Sequence, residues 1–259
     1  MGANDSHSIG ESIRQKLRFT KFADHVTDKA WEYVWMDGLR LEVAKYLNLQ
    51  ANNVVLDIGC GDGWFSIQNA LRYPEVRFLG VDLFEAREAE EISRLVGAMN
   101  CTFYEMDALN MKIEERIDHV VFYMSLGNIC RNTSDLQKLF RNCWKVMKKG
   151  GKLLIVEPFE EDFPEQVREK VKDLYKLYKK LGKSRGEDKE TILSRAVTLK
   201  ILESIGFKIL KVMWKKFNWY MNEKEVKEYF EFEKLPFRIT DKFWVFDKPK
   251  QVTIIVAMK

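Results

Sequence analysis

The chain has 259 residues, 46% of them hydrophobic and 32% charged, with a formal net charge of +4. That is enough for one sizeable domain or a domain with a lid, and no apolar run approaches the roughly 20 residues a membrane helix needs. The charge is too small to assign a nucleic acid as partner, although residues 160–259 hold 23 basic against 17 acidic side chains.

Residues 1–50 read as an N-terminal helical cap. Its first ten residues are small and polar and read as a frayed tail, since no apolar stretch follows as in a signal peptide. Further on, Trp31-Glu32-Tyr33-Val34-Trp35-Met36 is denser in aromatics than a surface helix requires. It either packs on a sheet through Trp31, Trp35 and Leu39 or presents an aromatic face to a bound cation.

A strand–helix rhythm begins near residue 53 and extends through a domain of residues 51–259. Val54–Ile58 is a short apolar run ending at glycines, the pattern of a buried strand. Trp64–Arg72 carries helical spacing, Val76–Val81 is a second strand, and residues 85–99 form a second helix. Thr102–Glu105 and Ile117–Tyr123 are the third and fourth strands. A helix over Asp135–Met147 follows, with Thr133 or Ser134 as N-cap and Gly150-Gly151 as its C-terminal stop. Lys152–Val156 is the fifth strand. Residues 160–190 are a charged helical insertion with apolar positions at Val167, Val171, Leu174, Tyr178 and Leu181. Lys172, Lys176, Lys179, Lys180 and Lys183 lie on another face of that insertion, either a basic lid or a solvated surface. Glu190–Ile205 is a helix closed by Gly206, and Phe207–Lys216 and Gln251–Ala257 are strands flanking the aromatic stretch 217–246. This alternation predicts an α/β fold with a mostly parallel sheet and helices on both faces. Ligands of such sheets bind along the edge formed by the strand C-termini.

The four cysteines (Cys60, Cys101, Cys130, Cys143) contain no C-x-x-C, and the three histidines are scattered. No metal site and no disulfide framework is expected, and a reduced, cytoplasmic setting is the default.

The informative segment is Val55-Leu56-Asp57-Ile58-Gly59-Cys60-Gly61-Asp62-Gly63, a strand running through glycines into a helix. Glycines turn tightly and admit a ligand without Cβ clashes, and the helix start offers unpaired amides to an anionic group. The glycines are spaced G-x-G-x-G, not the G-x-G-x-x-G of dinucleotide sites, and Asp57 stands two residues before the first. A carboxylate there repels a pyrophosphate and attracts an ammonium. S-Adenosylmethionine, with an α-amino group, a carboxylate and a sulfonium, suits this pattern better than a nicotinamide dinucleotide. Asp82 follows the second strand, where an acid can accept hydrogen bonds from ribose hydroxyls, and Asp107 follows the third, in reach of an adenine amino group.

In these motifs the sequence resembles the class I S-adenosylmethionine-dependent methyltransferases, especially the broad group of quinone-biosynthesis and small-molecule enzymes. The likeness covers roughly residues 40–160. The resemblance implies a seven-stranded sheet with the last strand, Gln251–Ala257, inserted antiparallel beside the sixth. It implies S-adenosylmethionine as cofactor, held by Asp57, Gly59, Cys60, Gly61, Asp82, Leu83, Asp107, Ala108 and Tyr123. It is nearly silent on the acceptor. Tyr123-Met124-Ser125-Leu126-Gly127-Asn128 is not the Asn/Asp-Pro-Pro-aromatic signature of many base-amine methyltransferases. A small-molecule acceptor leads, an RNA or protein acceptor using the basic C-terminal part is the alternative, and an oxidoreductase or a non-catalytic binder stands behind both.

Methyl transfer from a sulfonium needs positioning and exclusion of water, and a base only where the acceptor holds its proton tightly. Glu157, at the end of the fifth strand, is a candidate base or cation partner; its plain alternative is a helix-capping carboxylate. Tyr123 is a candidate wall or catalytic group beside Ser125 and Asn128, and His25 is the most base-like residue ahead of the core.

Overall fold

The computed structural model describes residues 3–23, 30–163, 165, 168, 192–216, 220–221, 243–244 and 251–259. Two helices, α1 (Ala3–Leu17) and α2 (Ala30–Ala44), precede the sheet. Then come β1 (Val54–Ile58), α3 (Trp64–Arg72), β2 (Arg77–Asp82), α4 (Ala86–Val96), β3 (Cys101–Glu105) and β4 (Ile117–Tyr123). A short helix α5 (Leu126–Ile129) leads to α6 (Thr133–Val146), β5 (Met147–Glu157), α7 (Arg195–Ile205), β6 (Lys208–Lys216) and β7 (Gln251–Met258). The seven strands lie in the order β3-β2-β1-β4-β5-β7-β6, parallel except for β7, which runs antiparallel to both β5 and β6. Apart from this sheet, Tyr220–Met221 pairs antiparallel with Phe243–Trp244.

The central strands are mostly apolar, as suits a sheet with helices on both faces, and the period of two sorts their apolar residues between two cores. Val55, Val121, Leu154 and Val256 point to one face, where they meet Phe65 and Ile67 of α3, Ala89 and Ile92 of α4, and Ile13, Leu17, Leu39 and Val43 of α1 and α2. Leu56, Val120, Phe122, Leu153 and Ile255 point to the other, against Leu139, Phe140 and Cys143 of α6 and Leu202 of α7. Each such side chain, taken fully out of water, contributes about 1.5–3 kcal/mol. The N-terminal helices therefore share the main core.

Several expected details change. Residues 3–10 are not a frayed tail but the first turns of α1, anchored by Ile13 and Leu17, which are buried. The N-cap of α6 is Asn132, whose side-chain oxygen accepts the Asp135 amide at 3.0 Å from an extended backbone (φ −162°), so Thr133 and Ser134 fall inside the helix. Gly150-Gly151 does not stop α6, which ends at Val146. These glycines belong to β5, where Gly150 N donates to Lys259 O and Lys259 N donates to Gly151 O. The helix closed by Gly206 starts at Arg195, with Ser194 as its cap. Residues 169–190, with their lysines, and the side chains of 217–246 lie outside the described residues, as do the side chains of Trp31 and Trp35. Among the described residues no helix is long and apolar enough to cross a membrane.

The end of the sheet away from the strand C-termini carries a titratable group. His119 on β4 is 8% exposed; its Nε2 lies 3.2 Å from Asn53 Oδ1 and its Nδ1 accepts the Lys152 amide at 3.3 Å. Burial holds its pKa down at about 4, with Lys152 and Lys148 adding to the effect and Asp118 opposing it. The unfolded chain takes up this proton first, so the stability His119 supports is full above pH 6.5 and is lost as pH falls toward 4. Denaturant unfolding from pH 7 to 4 should show the wild type losing about 3 kcal/mol relative to His119→Gln. Parallel curves for the two proteins would contradict this reading.

Candidate functional site

β1 and β4 are neighbours at the centre of the sheet, with Leu56 beside Val120, and their connections leave in opposite directions, toward β2 and toward β5. Chains diverging at this point leave a crevice between the strand C-termini. A cleft of about 1010 Å³ opens there. Asp57, Gly59, Cys60 and Gly61 from the first turn line it, with Asp82 and Leu83 from the second, Asp107 and Ala108 from the third, and Tyr123 from the fourth. All nine positions singled out for cofactor contact thus meet in one cavity.

The turn after β1 works only with glycine at two positions. Gly59 has φ +70°, and a Cβ there would lie 2.6 Å from Ser125 Cβ. Gly63 has φ +81°, and a Cβ there would lie 2.8 Å from the Phe103 ring. Gly59 lets the end of β4 close on the end of β1, where Ser125 Oγ donates to Ile58 O at 2.6 Å. Gly63 lets α3 start directly against β3. The Gly59 and Cys60 amides both donate to Val81 O, at 2.8 and 3.1 Å.

Asp57 is 1% exposed. Its Oδ2 accepts the Ser66 hydroxyl at 2.7 Å, while Oδ1, shut from water, has no partner among the described residues. Burial pushes its pKa up to about 7; the Ser66 hydrogen bond and Arg40 oppose this, while Asp82 and Asp62 reinforce it. A buried acceptor left unpaired costs free energy unless something completes it, and here the missing partner is a donor, best a cationic one.

The other acids are engaged by the backbone. Asp82 accepts the Gly61 amide at 3.0 Å on Oδ2, and the amides of Phe84 (2.9 Å) and Glu85 (3.1 Å) on Oδ1. It ties the glycine turn to the end of β2. Asp107 accepts the Leu109 amide at 2.9 Å and the Asn110 side-chain amide at 2.5 Å.

Arg40, on α2, lines the cleft and was not signalled by any local motif. Its guanidinium lies 5.8 Å from the Trp64 ring centre and 5.5 Å from that of Tyr123, and Nη1 donates to Asp37 at 3.3 Å. Its buried Nε has no partner among the described residues. Met36 also lines the cleft, one helical turn earlier.

Tyr123 stacks on Phe65, with ring centres 5.6 Å apart, and its hydroxyl donates to Met36 Sδ at 3.6 Å. Burial raises this phenol well above its ordinary range, so it stays protonated. Met124 also lines the cleft and holds φ +53°, a costly conformation for a side-chain residue. It turns the chain so that Ser125 reaches Ile58. Asn128 joins the lining. Glu157 does not line the cleft: it is 2% exposed and accepts the amides of Leu126 (3.2 Å) and Gly127 (3.3 Å) at the start of α5, the helix-capping alternative. His25 lies outside the described residues.

Against known proteins, the family model described as "Methyltransferase domain" matches residues 49–232. The chain is 29% identical over 150 residues to phosphoethanolamine N-methyltransferase 1 of Triticum aestivum, an alignment covering 53% of this chain and 30% of that protein. It is 26% identical over 128 residues to demethylmenaquinone methyltransferase of Listeria welshimeri, covering 48% of this chain and 53% of that one. The chain thus spans about half the length, or less, of these relatives. An S-adenosylmethionine-dependent methyltransferase of Methanosarcina mazei shares the fold at a TM-score of 0.60 and 17% identity, covering 83% of this chain and 96% of that one.

The steric demand at the turn is directly testable. Gly59→Ala combines a left-handed alanine with a clash against Ser125 and should cost about 2 kcal/mol or more, a fall in Tm of about 4–8 °C for a chain of this size. Gly38→Ala, on α2 with open space around it, should leave Tm unchanged or higher. Equal melting of Gly59→Ala and the wild type would show that the turn has room to spare.

Proposed function

The chain belongs to the methyltransferase domain family, and we propose that it transfers the methyl group of S-adenosylmethionine to a small-molecule acceptor. The observation that carries this reading is the unpaired, fully buried Oδ1 of Asp57 at the wall of the cleft. An ammonium supplies the donor it lacks, and Arg40, with its unpaired Nε, suits the carboxylate of the same amino-acid tail. Asp82 stands where ribose hydroxyls would be met, and Asp107 with Ala108 closes the adenine end. The lining holds Asp57, Asp62, Asp82, Glu85, Asp107 and Asp135 against Arg40 and Arg131. Such a field favours a cationic cofactor and disfavours the pyrophosphate of a nicotinamide dinucleotide.

When bound, S-adenosylmethionine would supply a methyl carbon activated by its sulfonium, with the neutral thioether S-adenosylhomocysteine as the leaving group. The chain's own part is to bind, orient and exclude water. Phe65, Tyr123 and Met124 form a wall with no group able to take a proton at neutral pH, because the Tyr123 phenol is held protonated. Glu157 is committed to the two amides of α5. This supports an acceptor that is already nucleophilic, such as a neutral amine or an ionised oxygen. The two relatives described above are named for small-molecule acceptors, which supports that class; another relative, 33% identical over 95 residues, is named for ribosomal RNA, which keeps RNA as the second acceptor class. The four cysteines are free and buried, in keeping with a cytoplasmic setting.

Calorimetry should give binding of S-adenosylhomocysteine in the micromolar range, about −8 kcal/mol, and much weaker binding of NAD. Asp82→Ala, which removes the anchor of the turn along with the ribose acceptor, should weaken that binding about tenfold or more. Tight NAD binding with no response to S-adenosylhomocysteine would overturn the assignment. RNA binding whose affinity falls steeply with salt would move the acceptor from small molecule to nucleic acid.

A further inference from the structure

We propose that Asp37 and Arg14 are positioning residues for Arg40, and that α1 thereby forms part of the carboxylate-binding end of the cleft. This rests on the reading of Arg40 given above. Asp37 is fully buried, and three helices converge on its carboxylate. Arg14 Nη1 of α1 donates to Oδ2 at 2.6 Å, while Arg40 Nη1 of α2 (3.3 Å) and Gln68 Nε2 of α3 (2.5 Å) donate to Oδ1. Gly10, one turn before Arg14 on α1, has no room for a Cβ, which would collide with this carboxylate. The helix is thus seated directly on Asp37.

The buried charges in this cluster do not balance. Arg14 and Arg40 are each 8% exposed and share the buried Asp37, and the second acid on Arg14, Glu11 at 3.4 Å, is half exposed to solvent. Two guanidinium nitrogens, Arg14 Nη2 and Arg40 Nε, are buried without partners among the described residues. The other buried carboxyl near Arg40 is Asp57, which burial leaves only partly ionised near neutrality. Inside the protein one carboxylate thus serves two guanidinium groups, and a buried ion in that condition is stabilised by the arrival of an anion. Since Arg40 alone of the two arginines lines the cleft, that anion enters beside Arg40. A ligand carboxylate fits; a ligand lacking one leaves the imbalance in place. Completing the cluster also strengthens the seat of α1 through Arg14, so occupancy of the cleft and docking of α1 become linked.

Two ligands separate this role from a general contribution to folding: S-adenosylhomocysteine, and 5′-methylthioadenosine, which keeps the nucleoside and thioether but has no amino-acid tail. In calorimetry, Asp37→Asn and Arg14→Met should each weaken S-adenosylhomocysteine about tenfold and change methylthioadenosine by less than about twofold. Arg14→Lys should recover most of the loss. Hydrogen exchange in α1 should slow on addition of S-adenosylhomocysteine and not of methylthioadenosine. Equal weakening of both ligands, or unchanged S-adenosylhomocysteine affinity in a folded Arg14→Met protein, would overturn the proposal. A wild type that binds neither ligand would instead overturn the reading of the cleft on which it rests. If Asp37→Asn does not fold, the Arg14 pair and the exchange experiment decide the matter.

Discussion

Burial of the Asp57 carboxyl at the end of the central strand is the constraint around which the rest of the molecule is arranged. Putting an acid in the interior is costly, and one hydroxyl, that of Ser66, offsets only part of the cost. The position is fixed by the sheet: β1 is buried along its whole length and sits between β2 and β4, so Asp57 cannot turn outward to water. The glycines that follow keep the space beside it clear, and the ends of β1 and β4 are bound by Ser125. The structure maintains an unsatisfied acceptor that a donor from outside the chain can complete, the kind of strain that accompanies binding sites.

Positive charge reaches the same region from a different part of the chain. Arg40 comes from α2, over the glycine turn, and is held there by Asp37 and by the rings of Trp64 and Tyr123. Acid and base thus occupy one cleft without pairing fully with each other, an arrangement suited to a zwitterionic tail. Another part of the lining is aromatic and thioether in character, with Phe65, Tyr123, Met36 and Met124; there the Tyr123 phenol is kept protonated, and Glu157, outside the cleft, is capped by amides. Chemistry at such a site depends on geometry and dryness more than on proton transfer.

Features set by local sequence were legible from it. Val54–Ile58, Trp64–Arg72 and Ile117–Tyr123 have the boundaries expected of them, because continuous apolar runs and glycine turns carry their signal within a few residues. The acids at Asp57, Asp82 and Asp107 could be placed on one edge because parallel strands must end there. What the sequence hid depends on distant contacts. The role of Gly150-Gly151 is decided by Lys259, more than a hundred residues away. The ordering of α1 comes from Ile13, Leu17 and the meeting of Arg14 with Asp37, which no window of the N-terminus reveals. Asn132, Thr133 and Ser134 are all good capping residues, and the extended backbone at Asn132 chooses among them. Arg40 escaped notice because its partners lie on a neighbouring turn and on other elements.

The central claim is that Asp57 waits for a cationic donor, and its own titration is the most direct test. Carbon-13 NMR of the labelled Asp57 carboxyl should show a pKa of about 7 in the free protein. Addition of S-adenosylhomocysteine should lower it by at least one to two units, as expected when an ammonium pairs with a buried carboxylate. A carboxyl that titrates near 4 in the free protein, or whose pKa does not move when the ligand binds, would contradict the account.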